Sequence, residues 1–81
     1  MNIHNLVLGE YETNSYVLTA DDLSTDCVVI DTGLEAGELV DYINQQKLNP
    51  IAVILTHGHA DHIVGLRDIR RNFPDVEVVI S

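Results

Sequence analysis

The 81-residue sequence has one cysteine, Cys27, and no tryptophan. A single thiol cannot form an intrachain disulfide, so no covalent staple supports the fold and a reducing compartment suits it. Basic residues are few. Lys47, Arg67, Arg70 and Arg71 stand against 13 acids, for a net charge near −9. That balance argues against a nucleic-acid surface, because neutralising phosphates takes a basic patch. It disfavours anionic lipid for the same reason. No apolar run approaches the roughly 20 residues that span a bilayer. The start, Met1 to Leu6, has no basic stretch leading into a long apolar one, so no signal peptide is expected. Together these absences set the expectation of a cytoplasmic protein with neither nucleic-acid nor membrane partners. A chain this short makes a single small domain, residues 1–81, with marginal stability unless a metal or a partner adds to it.

Apolar residues make up 46% of the chain, which places it among globular proteins and far from disorder. Residues 2–8 read as a strand, with His4 as a half-exposed strand histidine. Gly9-Glu10 offers a turn. Tyr11 to Ala20 is a second strand, rich in β-branched and aromatic residues. Asp21 to Asp26 is a polar, solvated hairpin loop. Cys27-Val28-Val29-Ile30 is a short buried strand, and Cys27 in it is a small core residue. Short connections make these three an antiparallel meander.

The second half alternates helix and strand. Ala36, Leu39, Val40 and Ile43 form a helical stripe, which predicts a helix over about 34–46. Thr32 and Glu35 have capping-box spacing at its start. Ile51 to Leu55 is apolar on both faces, as expected of a parallel strand covered by helices on both sides. A second helix, about 61–72, turns Ile63, Leu66, Ile69 and Phe73 inward and Arg67, Arg70 and Arg71 toward water. Val76 to Ile80 is the last strand. The order β-β-β-α-β-α-β makes an α/β (α+β) fold whose second half is two βαβ units.

Three of the four histidines fall in six residues, His57-Gly58-His59-Ala60-Asp61-His62. This stretch follows the most apolar strand and precedes the second helix. The carboxyl edge of parallel strands is where ligands sit in open α/β sheets. His57 and His59 share a face if the segment is extended, and Gly58 lets the backbone bend between them. Asp61 and His62 fall at the helix start, where Asp61 can act as N-cap near the positive end of the helix. Gly65 keeps the first turn slim for a close neighbour. Imidazoles with a carboxylate and no thiolate suit Zn²⁺, Fe or Mn. The bend directs His57 and His59 to one ion and Asp61 and His62 to another. Two ions about 3.5–4 Å apart can activate a bridging hydroxide against an ester, thioester, amide or phosphodiester.

Thr56-His57-Gly58-His59-Ala60-Asp61-His62 resembles the signature of the metallo-β-lactamase superfamily, most nearly that of its glyoxalase II-like members (hydroxyacylglutathione hydrolases). Asn14-Ser15-Tyr16 is similar to the N-x-Y segment of an early strand in that family. Val28 to Gly33 resembles its strand ending in an aspartate and a glycine. The resemblance implies half of an αββα sandwich, the N-terminal half, and a metal-dependent hydrolase of small thioesters or esters with two Zn²⁺ sites, Fe or Mn being alternatives. It makes His57 and His59 ligands of the first metal and Asp61 and His62 ligands of the second. Asp61 would also take a proton from the bridging water. Asp31 would orient a ligating imidazole. Capping of the following helix is the other reading of Asp31. His59 stands where the flavodiiron branch has an acid, which argues against that branch.

The family's remaining ligands and its second sheet belong to segments beyond residue 81. The chain is therefore expected to be a fragment of a longer hydrolase, with impaired catalysis on its own, or a non-catalytic half-domain that pairs with its own copy as a homodimer. Iron chemistry of the persulfide dioxygenase type shares the motif and stays open as an alternative.

Overall fold

The computed structural model of the chain describes residues 1–10, 12–33, 36–56 and 60–80, and of residues 60–64 the backbone only. The elements are β1 (Asn2–Leu8), β2 (Thr13–Thr19), β3 (Asp26–Ile30), α1 (Gly37–Gln45), β4 (Asn49–Leu55), α2 (Ala60–Asn72) and β5 (Glu77–Ile80). The strands form one sheet in the order β1-β2-β3-β4-β5. β1, β2 and β3 pair antiparallel, and β3, β4 and β5 pair parallel. The expected α+β architecture is therefore the observed one. No helix among the described residues is long and apolar enough to cross a membrane.

Register explains the core. His4, Val17, Val29, Val53 and Val78 lie in one row across the sheet, so their side chains leave the same face. Val17, Val29 and Val53 are buried, together with Cys27 and Leu55 on that face. They form one cluster with Ala36, Leu39, Val40 and Ile43 of the α1 segment and with Leu66 and Ile69 of α2. The helical stripe read from the sequence is the buried one, and Arg67, Arg70 and Arg71 are exposed as expected. Each fully buried aliphatic side chain contributes about 1.5–3 kcal/mol from area removed from water. Ile63 lies outside the residues whose side chains are described.

The opposite face has no helix. Its rows run Ile3, Leu18, Val28, Ala52 and then Tyr16, Ile30, Ile54, Val79. Ile3 is 62% exposed and Val79 45%, while Leu18, Val28, Ile30 and Ile54 are half-buried. This corrects the expectation that β4 is covered on both sides. Two crossovers that advance across the sheet in the same direction, with the same hand, set both helices on one face.

The start of α1 also differs from expectation. The helix begins at Gly37, its N-cap is Ala36, and no side chain caps it. The N-cap is therefore not Thr32, and Glu35 lies outside the described residues. The helix ends before Asn49-Pro50, which belong to β4. Lys47 takes a left-handed φ of 56°. Its N–H donates to the Asn44 carbonyl at 3.1 Å, and the Leu48 N–H donates to Ile43 at 3.0 Å. That pair of bonds is a Schellman stop, here with lysine in the place glycine usually takes.

Candidate metal centre

β3 and β4 run parallel, with Ile30 beside Ile54, so their carboxyl ends open side by side. The chain leaves β3 through Asp31-Thr32-Gly33, in which Asp31 has φ 62° and Gly33 φ 66°. Aspartate tolerates the left-handed region better than most residues because its short carboxylate bonds locally. The Asp31 N–H donates to the Ile54 carbonyl at 3.0 Å, which ties the turn to the end of β4. Gly33 presses on Thr13 at the start of β2, where an added Cβ would stand 3.1 Å from the threonine side chain.

The Asp31 carboxylate reaches across to the residue that precedes the motif. It accepts the Thr56 N–H at 2.9 Å, and the Thr56 hydroxyl lies 2.8 and 3.0 Å from its two oxygens. Asp31 is thus not the cap of α1. The Thr56 partnership was missed by sequence reasoning. The signal that could have found it is a hydroxyl residue at the end of a parallel strand, level with an aspartate at the end of its neighbour.

The second helix packs on the same turn. A Cβ added at Gly65 would collide with the Gly33 carbonyl oxygen and come within 2.9 Å of the Thr32 carbonyl oxygen. The close neighbour expected at Gly65 is therefore the Asp31–Gly33 turn itself, and only a glycine admits it. Thr32 is fully buried beneath. On β2, the buried Ser15 hydroxyl has no hydrogen-bond partner among the described residues.

Of the residues expected to hold metal, His57 and His59 lie outside the described residues. Asp61 and His62 fall in the first turn of α2, which begins at Ala60, so Asp61 is inside the helix and not at its cap. Their side chains are outside what is described. Among the described residues no group of three or more His, Cys, Asp or Glu is placed to hold an ion. The donor set itself fits a metal: imidazoles and a carboxylate, between the carboxyl end of a parallel strand and a helix start.

The other ionisable groups are elsewhere. His4 sits at the far end of the sheet, in the strand end that pairs with Leu18 and Val17. Its ring stacks on Tyr42 of α1, centroids 4.2 Å apart and planes within 5°. Cys27 is buried at the opposite end of β3. Burial, with a smaller push from Asp26, raises its thiol to about 11, which disfavours the thiolate at neutral pH. Asp21 closes the β2–β3 loop as an Asx turn. The Ser24 hydroxyl and the Leu23 N–H donate to its carboxylate and hold it below the usual carboxylate range.

Comparison with known proteins defines the class. The model of the metallo-β-lactamase superfamily matches residues 8–81, and the chain belongs to that superfamily. A probable metallo-hydrolase of Bacillus subtilis, YqgX, is 34% identical over 80 residues, covering 99% of this chain and 36% of that protein. A hydroxyacylglutathione hydrolase of Yersinia enterocolitica is 35% identical over 74 residues, covering 91% of this chain and 29% of the relative. Among solved structures, the BLEG-1 B3 metallo-β-lactamase superposes with a TM-score of 0.83 at 35% identity, over 95% of this chain and 35% of that one. The chain thus spans about a third of the length of the proteins it matches.

Proposed function

We propose that this chain carries the first half of the metal centre of a hydrolase acting on small thioesters or esters, of the glyoxalase II-like kind. The reading is supported by the sequence His57-x-His59-x-Asp61-His62, which follows β4 and runs into the first turn of α2. His57 and His59 hold one metal, Asp61 and His62 the second, and Zn²⁺ suits this donor set, with Fe and Mn as alternatives. When bound, the paired ions supply Lewis acidity and a water nucleophile at neutral pH. Asp61, held in the first turn of α2, would offer a carboxylate able to accept a proton beside that site. Asp31 supports the ligand stretch from behind. Two ligands per ion would leave further coordination positions open to other donors.

Elemental analysis together with a thioester-hydrolysis assay tests this reading. The chain should bind zinc, or paired metals, and His59→Ala should lose both the metal and any hydrolysis. Equal, measurable rates for the two proteins would sink metal catalysis at this stretch. A single bound iron would favour oxygenase chemistry instead.

A second reading rests on the helix-free face of the sheet. Ile3, Val7 and Val79 there are exposed by 62%, 53% and 45% beside half-buried Leu18, Val28, Ile30 and Ile54. Contiguous apolar surface of this kind marks an interaction site. The 81-residue chain on its own is expected to self-associate through it, as a half-domain covering its own copy. A well-folded monomer in light scattering at low concentration would overturn this.

A further inference from the structure

The sheet has two outer strands, β1 and β5, and they differ in what guards them. An outer strand leaves a row of N–H and C=O groups open to pairing with another chain. Short length, charge, proline or a bulge normally keeps such a strand single. β5 is four residues long and carries the exposed Glu77. β1 is seven residues long and pairs one-to-one with β2 from Asn2 to Leu8, so no bulge twists it away. Among the described residues no strand pairs with its outer side. Residues 1–9 contain no Asp, Glu, Lys, Arg or Pro, in a chain of 13 acids and net charge −9. Ile3, Asn5 and Val7 share the helix-free face of the sheet, with Ile3 62% and Val7 53% exposed and Asn5 exposed between them.

We propose that β1 is an interface strand and that its partner is β1 of a second copy, paired antiparallel about a two-fold axis at Asn5. Such an axis stands perpendicular to the sheet and keeps each face on its own side, so odd positions pair with odd and even with even. Of the registers this allows, the one centred on Asn5 uses the whole strand. It sets Asn2 against Leu8, Ile3 against Val7, His4 against Leu6, and Asn5 against its own copy. The two exposed aliphatic side chains then cover each other, and the Asn5 amides, each both donor and acceptor, meet at the axis. Charge favours the same occupant. Two chains of net charge −9 repel, and along β1 the paired strands oppose no like charges. The contact joins the sheets rim to rim. It is separate from the helix-free face and does not depend on the metal-centre reading.

Cysteine cross-linking in a Cys27→Ala background reads the register. Asn5→Cys should form a disulfide-linked dimer under mild oxidation, because residues opposed on antiparallel strands have Cα atoms about 4.5–5.5 Å apart, within disulfide reach. Ile3→Cys alone should not cross-link, since its two copies would lie roughly 14 Å apart. Mixed with Val7→Cys it should. No cross-link from Asn5→Cys, or an equal yield from Ile3→Cys alone, would overturn the pairing.

Sedimentation gives a second readout. Wild type should be a dimer, and Asn5→Lys, which sets two ammonium groups against each other at the axis, should raise the dissociation constant about tenfold or more. Val79→Lys, on β5 and on the helix-free face, should leave it unchanged. Asn5 is exposed, so its variants keep the fold, which far-UV circular dichroism checks. A monomeric wild type would overturn the proposal. So would a dimer broken by Val79→Lys and untouched by Asn5→Lys, which would put the contact on the helix-free face. If both lysine variants weaken the dimer, the cross-linking pattern decides.

Discussion

The two ends of the sheet hold similar side chains and use them differently. At the end where β1 begins and β2 finishes, polar groups serve local order. The Asn2 amide meets Asp22, Asp21 closes its own turn, Asn49 ties to Asp26 at 3.0 Å, and His4 lies flat on Tyr42. Each of these contacts joins a loop or strand end to its neighbour and leaves the chain's course unchanged. At the opposite end, where β3 and β4 finish in parallel, the polar contacts are spent on backbone geometry. Asp31 leaves ordinary strand conformation and seizes the peptide before His57. A histidine or an aspartate is therefore no guide to a site by itself. What distinguishes the two ends is that only one of them bends the chain around a shared anchor at a parallel carboxyl edge.

Three experiments press on this contrast. The largest effect is expected from Gly65→Ala, whose methyl would collide with the Gly33 carbonyl oxygen. Either α2 or the Asp31–Gly33 turn must then shift. A loss of about 3 kcal/mol in urea unfolding is expected, at the upper end of what overpacking costs. Unchanged stability would mean that α2 does not bear on the turn.

The next concerns Cys27, at the far end of β3. Its thiol is raised from an ordinary value near 9.0 to about 11 in the folded protein. Between those values the unfolded thiol gives up its proton first, so the unfolded state binds fewer protons and stability falls as pH rises. The contribution is intact below pH 9 and is lost toward pH 11, to the extent of about 2 kcal/mol. Cys27→Ala should lack this alkaline decline, as measured by thermal unfolding against pH. Parallel curves for the two proteins would show that the thiol is not so buried.

The smallest effect belongs to His4→Ala. Loss of one exposed stacking partner should cost about 0.5 kcal/mol and leave zinc uptake untouched. Weaker zinc binding in that variant would erase the distinction between the two ends.

Much of this architecture is legible in the sequence because it is local. Leu39, Val40 and Ile43 announce a helix face by spacing alone, and all three are buried. Ile51 to Leu55 announces a strand, and it is the centre of the parallel part of the sheet. The candidate metal-binding stretch is proposed from residue types and from its place in the sequence between that strand and α2. The helix start read from the Thr32–Glu35 spacing comes too early, because the N-cap is Ala36. Spacing permits a cap there, but Asp31 bonds Thr56 and Gly33 lies against Thr13 and Gly65, and the helix begins only after Ala36.

The sequence by itself determined the order of elements and the buried stripe of α1. Periodicity and side-chain chemistry are properties of neighbours along the chain. Only the tertiary structure decided that one face of the sheet goes without a helix. A strand apolar on both sides carries no mark of which side the crossovers will take. Only the tertiary structure, too, joined Asp31 to Thr56 across 25 positions and seated Gly65 on Gly33. Those contacts exist because two parallel strands end at the same level, a register set by the pairing of whole strands and not by any short stretch of residues.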